Sequence, residues 1–348
     1  MRNTKPIIGI TMGDPAGIGP EIILKALKHN SVYRWCFPIV IGDPLVFKRT
    51  LKLVHLDRKM KIIKHVSEAE DNSRVINILD IGVKLGDFKF GEFSSSTGEV
   101  SYRAIIKSIE LALSGQIHAV VTAPVSKEAI NMAGYKFSGH TEIFAEYTNT
   151  AKYAMLLVDK NLRVVHVSTH VSLRKACELV KKERVLDVIE LLDKACRGFG
   201  IKNPKLAVAG LNPHAGENGL LGDEEVKEII PAIFEARRKG IDVEGPFPPD
   251  TVFPMVISGA FDGVVAMYHD QGHIPFKISG FKWDRKTGRM KIVRGVNITI
   301  GLPIIRTSVD HGTAFDIAGK GVASEEAMLN AIKYASILAK NKIKGSTW

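Results

Sequence analysis

Residues 7–27 read IIGITMGDPAGIGPEIILKAL and contain the clearest strand–turn–helix pattern of the chain. The apolar run Ile7–Met12 is typical of a buried strand, and Pro20–Leu27 has the spacing of an amphipathic helix. The glycines between them suit a tight turn, and Pro20 suits the first position of a helix. The turn has the glycine spacing of neither a Rossmann motif nor a P-loop, so it predicts a unit of structure without identifying its ligand.

The same alternation continues along the rest of the chain. Further strands are predicted at Phe37–Ile41, Val75–Ile81, Ala119–Thr122, Val164–Thr169, Leu206–Ala209, Val264–Tyr268 and Val296–Ile300. Helices are predicted at Val100–Leu113, Glu183–Cys196, Glu224–Arg238 and Ser324–Ala339. Strands that alternate with helices in this way form a largely parallel sheet, so the sequence predicts an α/β protein.

Composition excludes several classes of protein. The 348 residues allow two domains, and no apolar run is long enough to span a membrane. The formal net charge is +11, but opposite charges are interleaved with the basic residues and no basic arm is present, which argues against a nucleic-acid partner. The three cysteines are scattered, which is typical of a reducing cytoplasm rather than of a disulfide framework.

Three histidines follow three different predicted strands. They are His170, His214 and His269, and ligands of α/β proteins bind at the carboxyl ends of such strands. Three imidazoles in one cleft would hold a divalent metal and leave positions open for substrate. The alternative is that each is a hydrogen-bonded loop histidine, and His166, four residues before His170, is a rival ligand or a sheet histidine.

A second group of residues suits an anionic ligand. The stretch Ser138–Glu142 begins a predicted helix, where free backbone N–H groups bind phosphate oxygens well. Lys277 and Arg306 add fixed cations, although each taken singly is more often a surface ion-pair residue. The polar stretch Val309–Gly321 predicts a functional loop without identifying its ligand.

Several long stretches resemble one enzyme family. They are GDPAGIGPEI (13–22), TAPVSKEAIN (122–131), FSGHTEIF (137–144), STHVSLR (168–174), GLNPHAGENG (210–219), GPFPPDTVF (245–253), AMYHDQGHIPFK (266–277) and GVNITIGLPIIRTSVDHGTAFDIAGKG (295–321). They span nearly the whole chain and resemble the 4-hydroxythreonine-4-phosphate dehydrogenases of pyridoxal phosphate biosynthesis, within the isocitrate/isopropylmalate dehydrogenase-like fold.

The resemblance implies a two-domain enzyme with its active site in the cleft between the domains. The first domain would comprise residues 1–135 and 303–348, and the second residues 136–302. The implied cofactors are NAD or NADP and one divalent metal per site, which imidazole ligands allow to be zinc, cobalt, magnesium or manganese. The implied partners are a small phosphorylated hydroxy acid and a second copy of the chain, in a homodimer whose subunits share each site.

The resemblance also implies individual roles. His170, His214 and His269 match the metal ligands, one of them supplied by the partner subunit. The positions that match substrate-binding residues are His140, Thr141, Lys277, Asn297 and Arg306. The stretch His311–Gly321 resembles the loop that receives the adenosine part of NAD(P), with His311, Gly312, Thr313, Asp316 and Gly319 as its contacts. Lys277 is also the candidate proton shuttle, and Asp250 has a supporting role near the metal.

One segment departs from the family. Ser279–Arg294 is longer than its counterpart and predicts a charged hairpin that turns at Lys286–Gly288. With His273 and residues 315–321, it resembles a sister subgroup that oxidises D-threonate or D-erythronate 4-phosphate. The first expectation is therefore oxidation of 4-phospho-hydroxy-L-threonine to a 3-oxo acid that loses carbon dioxide, and the alternative is the sister activity. A metal-dependent hydrolase or aldolase without nicotinamide is the alternative from another class.

Overall fold

The computed structural model describes residues 5–285, 289–346 and 348. Its strands are β1 (Ile7–Thr11), β2 (Phe37–Gly42), β3 (Lys59–Ile63), β4 (Val75–Asp80), β5 (Ala119–Thr122), β6 (Ala154–Asp159), β7 (Leu162–His166), β8 (Lys205–Ala209), β9 (Asp242–Phe247), β10 (Gly263–Ala266), β11 (Phe281–Asp284), β12 (Arg289–Val293), β13 (Val296–Ile300) and β14 (Ile305–Val309). Its α-helices are α1 (Gly19–Leu27), α2 (Asn30–Trp35), α3 (Pro44–Leu53), α4 (Ser95–Leu113), α5 (Lys127–Met132), α6 (His140–Tyr147), α7 (Leu173–Leu179), α8 (Lys182–Gly198), α9 (Ile230–Arg238), α10 (Pro249–Ile257), α11 (His269–Gly280) and α12 (Glu326–Ile343).

The chain divides into two compact units. Unit 1 comprises Met1–Ala151 and Leu302–Lys340, and unit 2 comprises Lys152–Gly301 and Asn341–Trp348. Each unit contains a set of six neighbouring strands and a hydrophobic core of its own. The border at residues 135 and 136 that the sequence predicted lies inside unit 1, so that His140 and Thr141 belong to unit 1.

The sheet of unit 1 is parallel throughout and has the strand order β3-β4-β2-β1-β5-β14. Strand β14 enters this sheet from the end of the chain and pairs with β5, with Arg306 opposite Val120. The core packs around the buried side chains of β2, β4 and α4, including Ile39, Leu79 and Ile105. The unit is therefore completed by a segment that follows unit 2 in sequence.

The sheet of unit 2 is mixed, with the strand order β13-β6-β7-β10-β8-β9. Strands β7, β10, β8 and β9 are parallel, and the pairs β13–β6 and β6–β7 are antiparallel. Because β7, β10 and β8 are parallel neighbours, the segments that follow them begin at one edge of the sheet. These segments carry His170, His269 and His214.

The predicted α/β class is confirmed, and the predicted strands all exist within one to three residues of their expected bounds. The predicted helix Glu224–Arg238 instead begins with a π-helical turn at Glu225–Ile229, before α9. Strands β11 and β12 form the expected antiparallel hairpin, whose turn at Lys286–Gly288 lies outside the described residues. No helix among the described residues is both long and apolar enough to cross a membrane.

Candidate active site

The centre of unit 2's candidate site is a pair of histidines. His170 follows β7 and is exposed, and His269 is the first residue of α11, directly after β10. Their ring centroids are 5.6 Å apart. Both line a cavity of about 420 Å³ whose walls also include Thr169, Ser172 and Tyr268. The structure therefore brings two of the three predicted metal ligands together at an accessible cavity.

A neighbouring carboxylate fixes the orientation of His269. Nδ1 of His269 lies 2.6 Å from Oδ1 of Asp270, a side chain that is 71% exposed. An ionised carboxylate can only accept a hydrogen bond, so Nδ1 of His269 is the donor, and this bond lowers the pKa of Asp270. In the neutral form of the ring, the proton on Nδ1 leaves the lone pair of Nε2 available, which is the arrangement that metal-bound histidines adopt.

His273 packs flat against His269. Their ring centroids are 3.7 Å apart at an interplanar angle of 11°, and Nδ1 of His273 lies 3.0 Å from the backbone oxygen of His269. On its other side His273 approaches His166 to 4.8 Å between centroids. Burial lowers the pKa of His273 to about 4 and that of His166 to about 3, and neighbouring imidazoles add to both shifts. The imidazoles of His273 and His166 are therefore neutral near pH 7.

His166 is part of the packing beneath this cluster. Its side chain is 1% exposed, and its Nδ1 lies 3.4 Å from the backbone oxygen of Met155. Its Nε2 has no hydrogen-bond partner among the described residues, and a Cβ at Gly272 would overlap it. Of the two interpretations of His166 that the sequence left open, this position favours the sheet histidine.

The third predicted ligand lies in an unusual loop. His214 is exposed and begins a run of five residues with φ between 43° and 77°, in the left-handed region. Glu225, which is 1% exposed, stabilises the start of this loop by accepting hydrogen bonds from the N–H groups of Leu211 and Asn212, both at 2.7 Å. The loop is therefore held by a buried carboxylate on the π-helical turn.

Gln271 connects the two loops that carry His269 and His214. Its side-chain oxygen accepts a hydrogen bond from the N–H of Met267 at 2.7 Å, and its amide donates to the carbonyl of Gly210 at 2.8 Å. Gln271 is 7% exposed, so both bonds are shielded from water. The ends of β10 and β8 are thereby joined directly in front of the two histidine-bearing segments.

The two predicted catalytic residues of unit 2 lie on helices. Lys277 is exposed on α11, eight residues after His269 and four after His273, so the three share one face of the helix. Its positive charge lowers the pKa of His273 and of Asp270, although other causes of each shift are larger. Asp250 is exposed in the first turn of α10, a helix that contacts the segment containing His214.

The histidines of unit 2 fit a metal in part. Two imidazoles that share one tetrahedral zinc place their ring centres about 5 Å apart, close to the separation of His170 and His269. Across the described ranges 5–285 and 289–346, however, no group of three His, Cys, Asp or Glu side chains has a metal-binding arrangement. One chain therefore provides a two-histidine pair, with the carboxylate of Asp270 behind one ring.

Unit 1 contains a second candidate site, around Arg306 on β14. Its side chain is 2% exposed, its Nη2 donates to Oγ1 of Thr122 at 2.7 Å, and its guanidinium lies 5.6 Å from the ring centre of Phe144. Burial lowers the pKa of Arg306 to about 9, against the opposing effect of Glu142. At neutral pH a buried cation therefore lies at this position.

His140 begins α6 in the same unit. Its Nε2 is buried and has no hydrogen-bond partner within the part of the chain that the structure describes. Burial, and then the charge of Arg306, lower its pKa well below the ordinary value, so the ring is neutral. A neutral imidazole at the start of the eight-residue helix α6, and a guanidinium of β14 over the ring of Phe144 in that helix, are groups that bind a phosphate or carboxylate ligand well.

The remaining predicted substrate residues, Thr141 and Asn297, lie in different units. Thr141 is half-buried in the first turn of α6. Asn297 lies on β13 in unit 2, in register with Leu157 of β6. Its side-chain oxygen is buried without a hydrogen-bond partner in the described residues, so it retains an unused acceptor. The structure thus places Thr141 with His140 and Arg306, and Asn297 in the other unit.

The predicted cofactor loop packs tightly within unit 1. The N–H of Ile18 donates to the carbonyl of Thr313 at 3.0 Å, which ties the loop to the glycine-rich turn before α1. Gly319 has φ of +74°, and a Cβ there would overlap the ring of Phe90. Burial lowers the pKa of His311, whose Nδ1 lies 3.0 Å from the backbone oxygen of Gly312.

The sequence analysis did not identify four residues that shape these sites: Asp270, Gln271, Glu225 and Thr122. Asp270 directly follows a predicted ligand, which was the available signal, because a carboxylate commonly accepts the second ring N–H of a metal-bound histidine. Thr122 closes a predicted strand and gives no such signal. Glu225 lies in a helical pattern in which a carboxylate is ordinarily exposed.

Comparisons with known proteins agree on one family. The family described as pyridoxal phosphate biosynthetic protein PdxA matches residues 34–335. A D-threonate 4-phosphate dehydrogenase of Pectobacterium atrosepticum is 48% identical over 335 residues, which are 96% of this chain and 99% of that protein. The crystal structure of a 4-hydroxythreonine-4-phosphate dehydrogenase from Burkholderia phymatum is 45% identical with a TM-score of 0.83, and covers 96% of this chain and 98% of its own. The corresponding structure from Klebsiella pneumoniae is 44% identical with a TM-score of 0.84, at 96% and 99% coverage.

Proposed function

The chain belongs to the PdxA family of pyridoxal phosphate biosynthetic proteins, and on that premise we propose that it is a dehydrogenase of a small phosphorylated hydroxy acid. The observation that carries this proposal is the buried guanidinium of Arg306 beside the imidazole of His140. The planar fork of N–H donors of this guanidinium suits a phosphate that accepts two hydrogen bonds at once. The buried Nε2 of His140, which has no hydrogen-bond partner among the described residues, would donate a further hydrogen bond to that phosphate.

We propose D-threonate 4-phosphate as the preferred substrate. A relative named for this substrate is 48% identical over nearly the full length of both chains. The hairpin of β11 and β12, which resembles the sister subgroup in sequence, supports the same choice. The second candidate is 4-phospho-hydroxy-L-threonine, because two solved structures that are 44% and 45% identical carry the corresponding enzyme name.

The proposed cofactors are NAD or NADP and one divalent metal. His170 and His269 would hold the metal, with His214 as the third ligand from one of the two subunits. When bound, the metal would lower the pKa of the substrate hydroxyl and stabilise negative charge on its oxygen. Asp270 supports this assignment because it orients the ring of His269 with Nε2 available.

The other residues of the proposal bind the substrate or transfer a proton. Arg306 and His140 would bind the phosphate, with Thr141 at the start of the same helix as a further donor. Asn297 would accept a hydrogen bond from a hydroxyl or amino group of the substrate through its side-chain oxygen. Lys277 lies on the same face of α11 as His269, which supports its role as a proton shuttle. Asp250 retains a supporting role beside the segment of His214.

The proposed reaction needs no oxidant other than the nicotinamide, which accepts the two electrons that the substrate loses. The C3–H bond breaks with transfer of a hydride to the nicotinamide, and the C3 hydroxyl proton leaves to water, with Lys277 as the proposed proton shuttle. The resulting 3-oxo acid then breaks its C1–C2 bond and releases carbon dioxide, and a proton is added at C2. From D-threonate 4-phosphate this gives dihydroxyacetone phosphate, and from the amino acid it gives 3-amino-2-oxopropyl phosphate.

We also propose that the enzyme is a homodimer. Ile274 and Ile278 lie one turn apart on α11, the helix that carries His269, and their side chains are 57% and 77% exposed. A second copy that covers these side chains would bury apolar surface beside the histidines. Analytical ultracentrifugation tests this directly, because Ile278→Lys should shift the protein from dimer to monomer.

The decisive experiment measures NADH and NADPH formation by protein supplied with zinc, cobalt, magnesium or manganese. The substrates are D-threonate 4-phosphate, D-erythronate 4-phosphate and 4-phospho-hydroxy-L-threonine, with unphosphorylated D-threonate as the control. We expect reduced nicotinamide with a threonate phosphate, little with the control, and loss of turnover after chelation of the metal.

The outcomes separate the candidates. Turnover with the amino acid alone would establish the second candidate and make the extra hairpin incidental to substrate choice. Conversion of a phosphorylated acid without formation of reduced nicotinamide would favour the hydrolase or aldolase alternative. If no compound in the series reacted with metal-loaded protein, the proposed function would be wrong.

A further inference from the structure

Two charged side chains of α1 contact the end of the predicted cofactor loop. Glu21 and Lys25 are one helical turn apart, and Nζ of Lys25 lies 2.9 Å from Oε1 of Glu21. The side chains are 2% and 20% exposed, so the pair is largely removed from water. Ion pairs four residues apart on a helix are ordinarily solvated and contribute little, so a buried pair of this kind needs a further explanation.

The pair forms hydrogen bonds with both the N–H and the carbonyl group of two residues, Gly321 and Ala323. The carboxylate of Glu21 accepts hydrogen bonds from the N–H groups of Gly321 at 3.2 Å and Ala323 at 2.7 Å. The ammonium of Lys25 donates to the carbonyl oxygens of the same two residues, at 2.8 Å and 2.6 Å. The side chains of Glu21 and Lys25 thus supply the hydrogen bonds that the backbone of a neighbouring strand would otherwise make.

The start of the loop is tied to the same helix. Ile18 directly precedes α1, and its N–H donates to the carbonyl of Thr313. Gly17 allows this close approach, because a Cβ there would lie 3.0 Å from the carbonyl oxygen of Thr313. The segment from Thr313 to Ala323 is therefore fastened near both of its ends to α1 and to the turn that precedes it.

We propose that Glu21 and Lys25 are positioning residues for the nicotinamide dinucleotide. They hold residues 311–323 in the shape that binds the adenosine part, so that the loop is ordered before the dinucleotide arrives. Preorganisation of this kind improves affinity by removing an entropy cost from the binding step. The inference rests on the proposed function, which assigns that loop to the dinucleotide.

The test compares Lys25→Met, which keeps the aliphatic stem, with Lys25→Arg, which keeps the charge and several donors. In Lys25→Met we expect the KM for the dinucleotide to rise about tenfold, because two hydrogen bonds from a charged group are lost. The KM for the phosphorylated acid and kcat at saturating dinucleotide should stay within about twofold. Lys25→Arg should recover most of the lost dinucleotide affinity.

Two controls separate positioning from general stability. Arg103→Met removes a charge pair with the same spacing, Glu99–Arg103 on α4, without contact to the loop. Ile23→Val weakens the packing of α1 itself, since Ile23 is fully buried. Neither should alter the dinucleotide KM selectively. If Lys25→Met folds poorly, the double variant Glu21→Gln/Lys25→Met, which leaves no unpaired charge, takes its place.

Direct binding measurements distinguish failure of this inference from failure of the proposed function. Calorimetry of NAD and NADP binding to the wild-type protein comes first, and binding of neither would overturn both. If the wild type binds and Lys25→Met binds equally well, only the positioning role is wrong. An equal change in all kinetic parameters, accompanied by a lower melting temperature, would likewise reduce the pair to a structural contact.

Discussion

Both units of this protein use histidine, but in opposite surroundings. In unit 1, His140 lies beside the buried cation Arg306, and its ring is neutral because burial and that positive charge disfavour protonation. In unit 2, His269 lies among other imidazoles beside an accessible cavity, with an exposed carboxylate on its Nδ1. The first environment combines a neutral ring with a fixed positive charge. The second offers imidazole nitrogens, and the cation on the same helix, Lys277, is exposed.

The difference teaches how one side chain is directed to two kinds of ligand. A guanidinium next to a neutral imidazole favours an anion, because both groups can donate hydrogen bonds and one is charged. Crowded neutral imidazoles favour a metal cation, because their lone pairs are available and protonation is disfavoured. The predictions that follow test this contrast, beginning with the largest expected effect.

His269→Ala removes the histidine that contacts His170, His273 and Asp270 in unit 2. We expect kcat to fall by about 10³-fold or more, because a metal that stabilises charge on the reacting oxygen contributes several kcal/mol. The purified variant should also retain much less zinc or cobalt by elemental analysis. His65→Ala, at an exposed histidine of unit 1, is the matched control. Full activity in His269→Ala would contradict the contrast between the two units, because it would show that the histidines of unit 2 do not bind a metal needed for catalysis.

Arg306→Met removes the cation of unit 1 and keeps an apolar side chain of similar length. The KM for the phosphorylated acid should rise about 100-fold, because charge-assisted hydrogen bonds to phosphate are lost. Inorganic phosphate should raise the melting temperature of the wild type but not that of the variant. Arg34→Met, at an exposed arginine of α2, should behave as wild type. An unchanged KM would show that the buried cation serves only the fold.

His273→Leu and His273→Phe separate stacking from hydrogen bonding in unit 2. The phenyl ring preserves the flat contact with His269 but lacks the Nδ1–H that faces the backbone oxygen of His269. We expect metal affinity, measured by competition with a chelator, to fall about tenfold in His273→Leu and less in His273→Phe. Equal losses in the two variants would assign the effect to the hydrogen bond instead.

The pH dependence of stability provides the smallest effect. The pKa of His140 is well below its ordinary value in the folded protein, so below about pH 6.5 the unfolded chain binds a proton that the folded protein does not. The stability that His140 contributes above that pH is lost as the pH falls, by up to about 1.4 kcal/mol per pH unit. In urea denaturation, His140→Asn should therefore lose less stability than wild type between pH 6.5 and 5.5.

The control for that measurement is His65→Asn, at an exposed position. The pH dependence of its unfolding free energy should equal that of wild type, because the substitution leaves His140 and its surroundings unchanged. The contributions of His166 and His273 are present in every variant and cancel in the comparison. If the unfolding free energy of His140→Asn changed with pH as steeply as that of wild type, the ring of His140 would not be buried as a neutral group.

The apolar part of the fold was predictable and the polar part was less so. Strands such as β5 and β13 were located to the residue, because their β-branched runs are continuous. Strand β14 was not predicted, since its sequence IRTSV has three consecutive polar residues between two apolar ones. Its polar groups are buried with partners, as in the bonds from Arg306 to Thr122 and from Thr307 to the carbonyl of Ala331. Only the tertiary structure supplies those partners.

The candidate sites show the same division. The resemblance identified His170 and His269, which the structure places 5.6 Å apart, and His140 with Arg306, which it places in one unit. It did not identify the side chains that orient them, such as Asp270 and Glu225. A buried carboxylate like Glu225 is invisible to periodicity, because its position in the sequence is that of an ordinary solvated helix residue.

The return of the chain to unit 1 at β14 has a consequence for biosynthesis. Unit 2 up to Gly301 is a continuous segment and can begin to fold as it leaves the ribosome, whereas β5 of unit 1 waits for its partner strand. Between Thr122 and Val309 the ribosome must add nearly two hundred residues, which takes about 10–40 s at bacterial and eukaryotic rates. Because Arg306 arrives with that strand, the candidate site around Arg306 is among the last features to form. A nascent chain truncated before residue 305 would expose the edge of β5, which makes this interval the period of greatest dependence on chaperones.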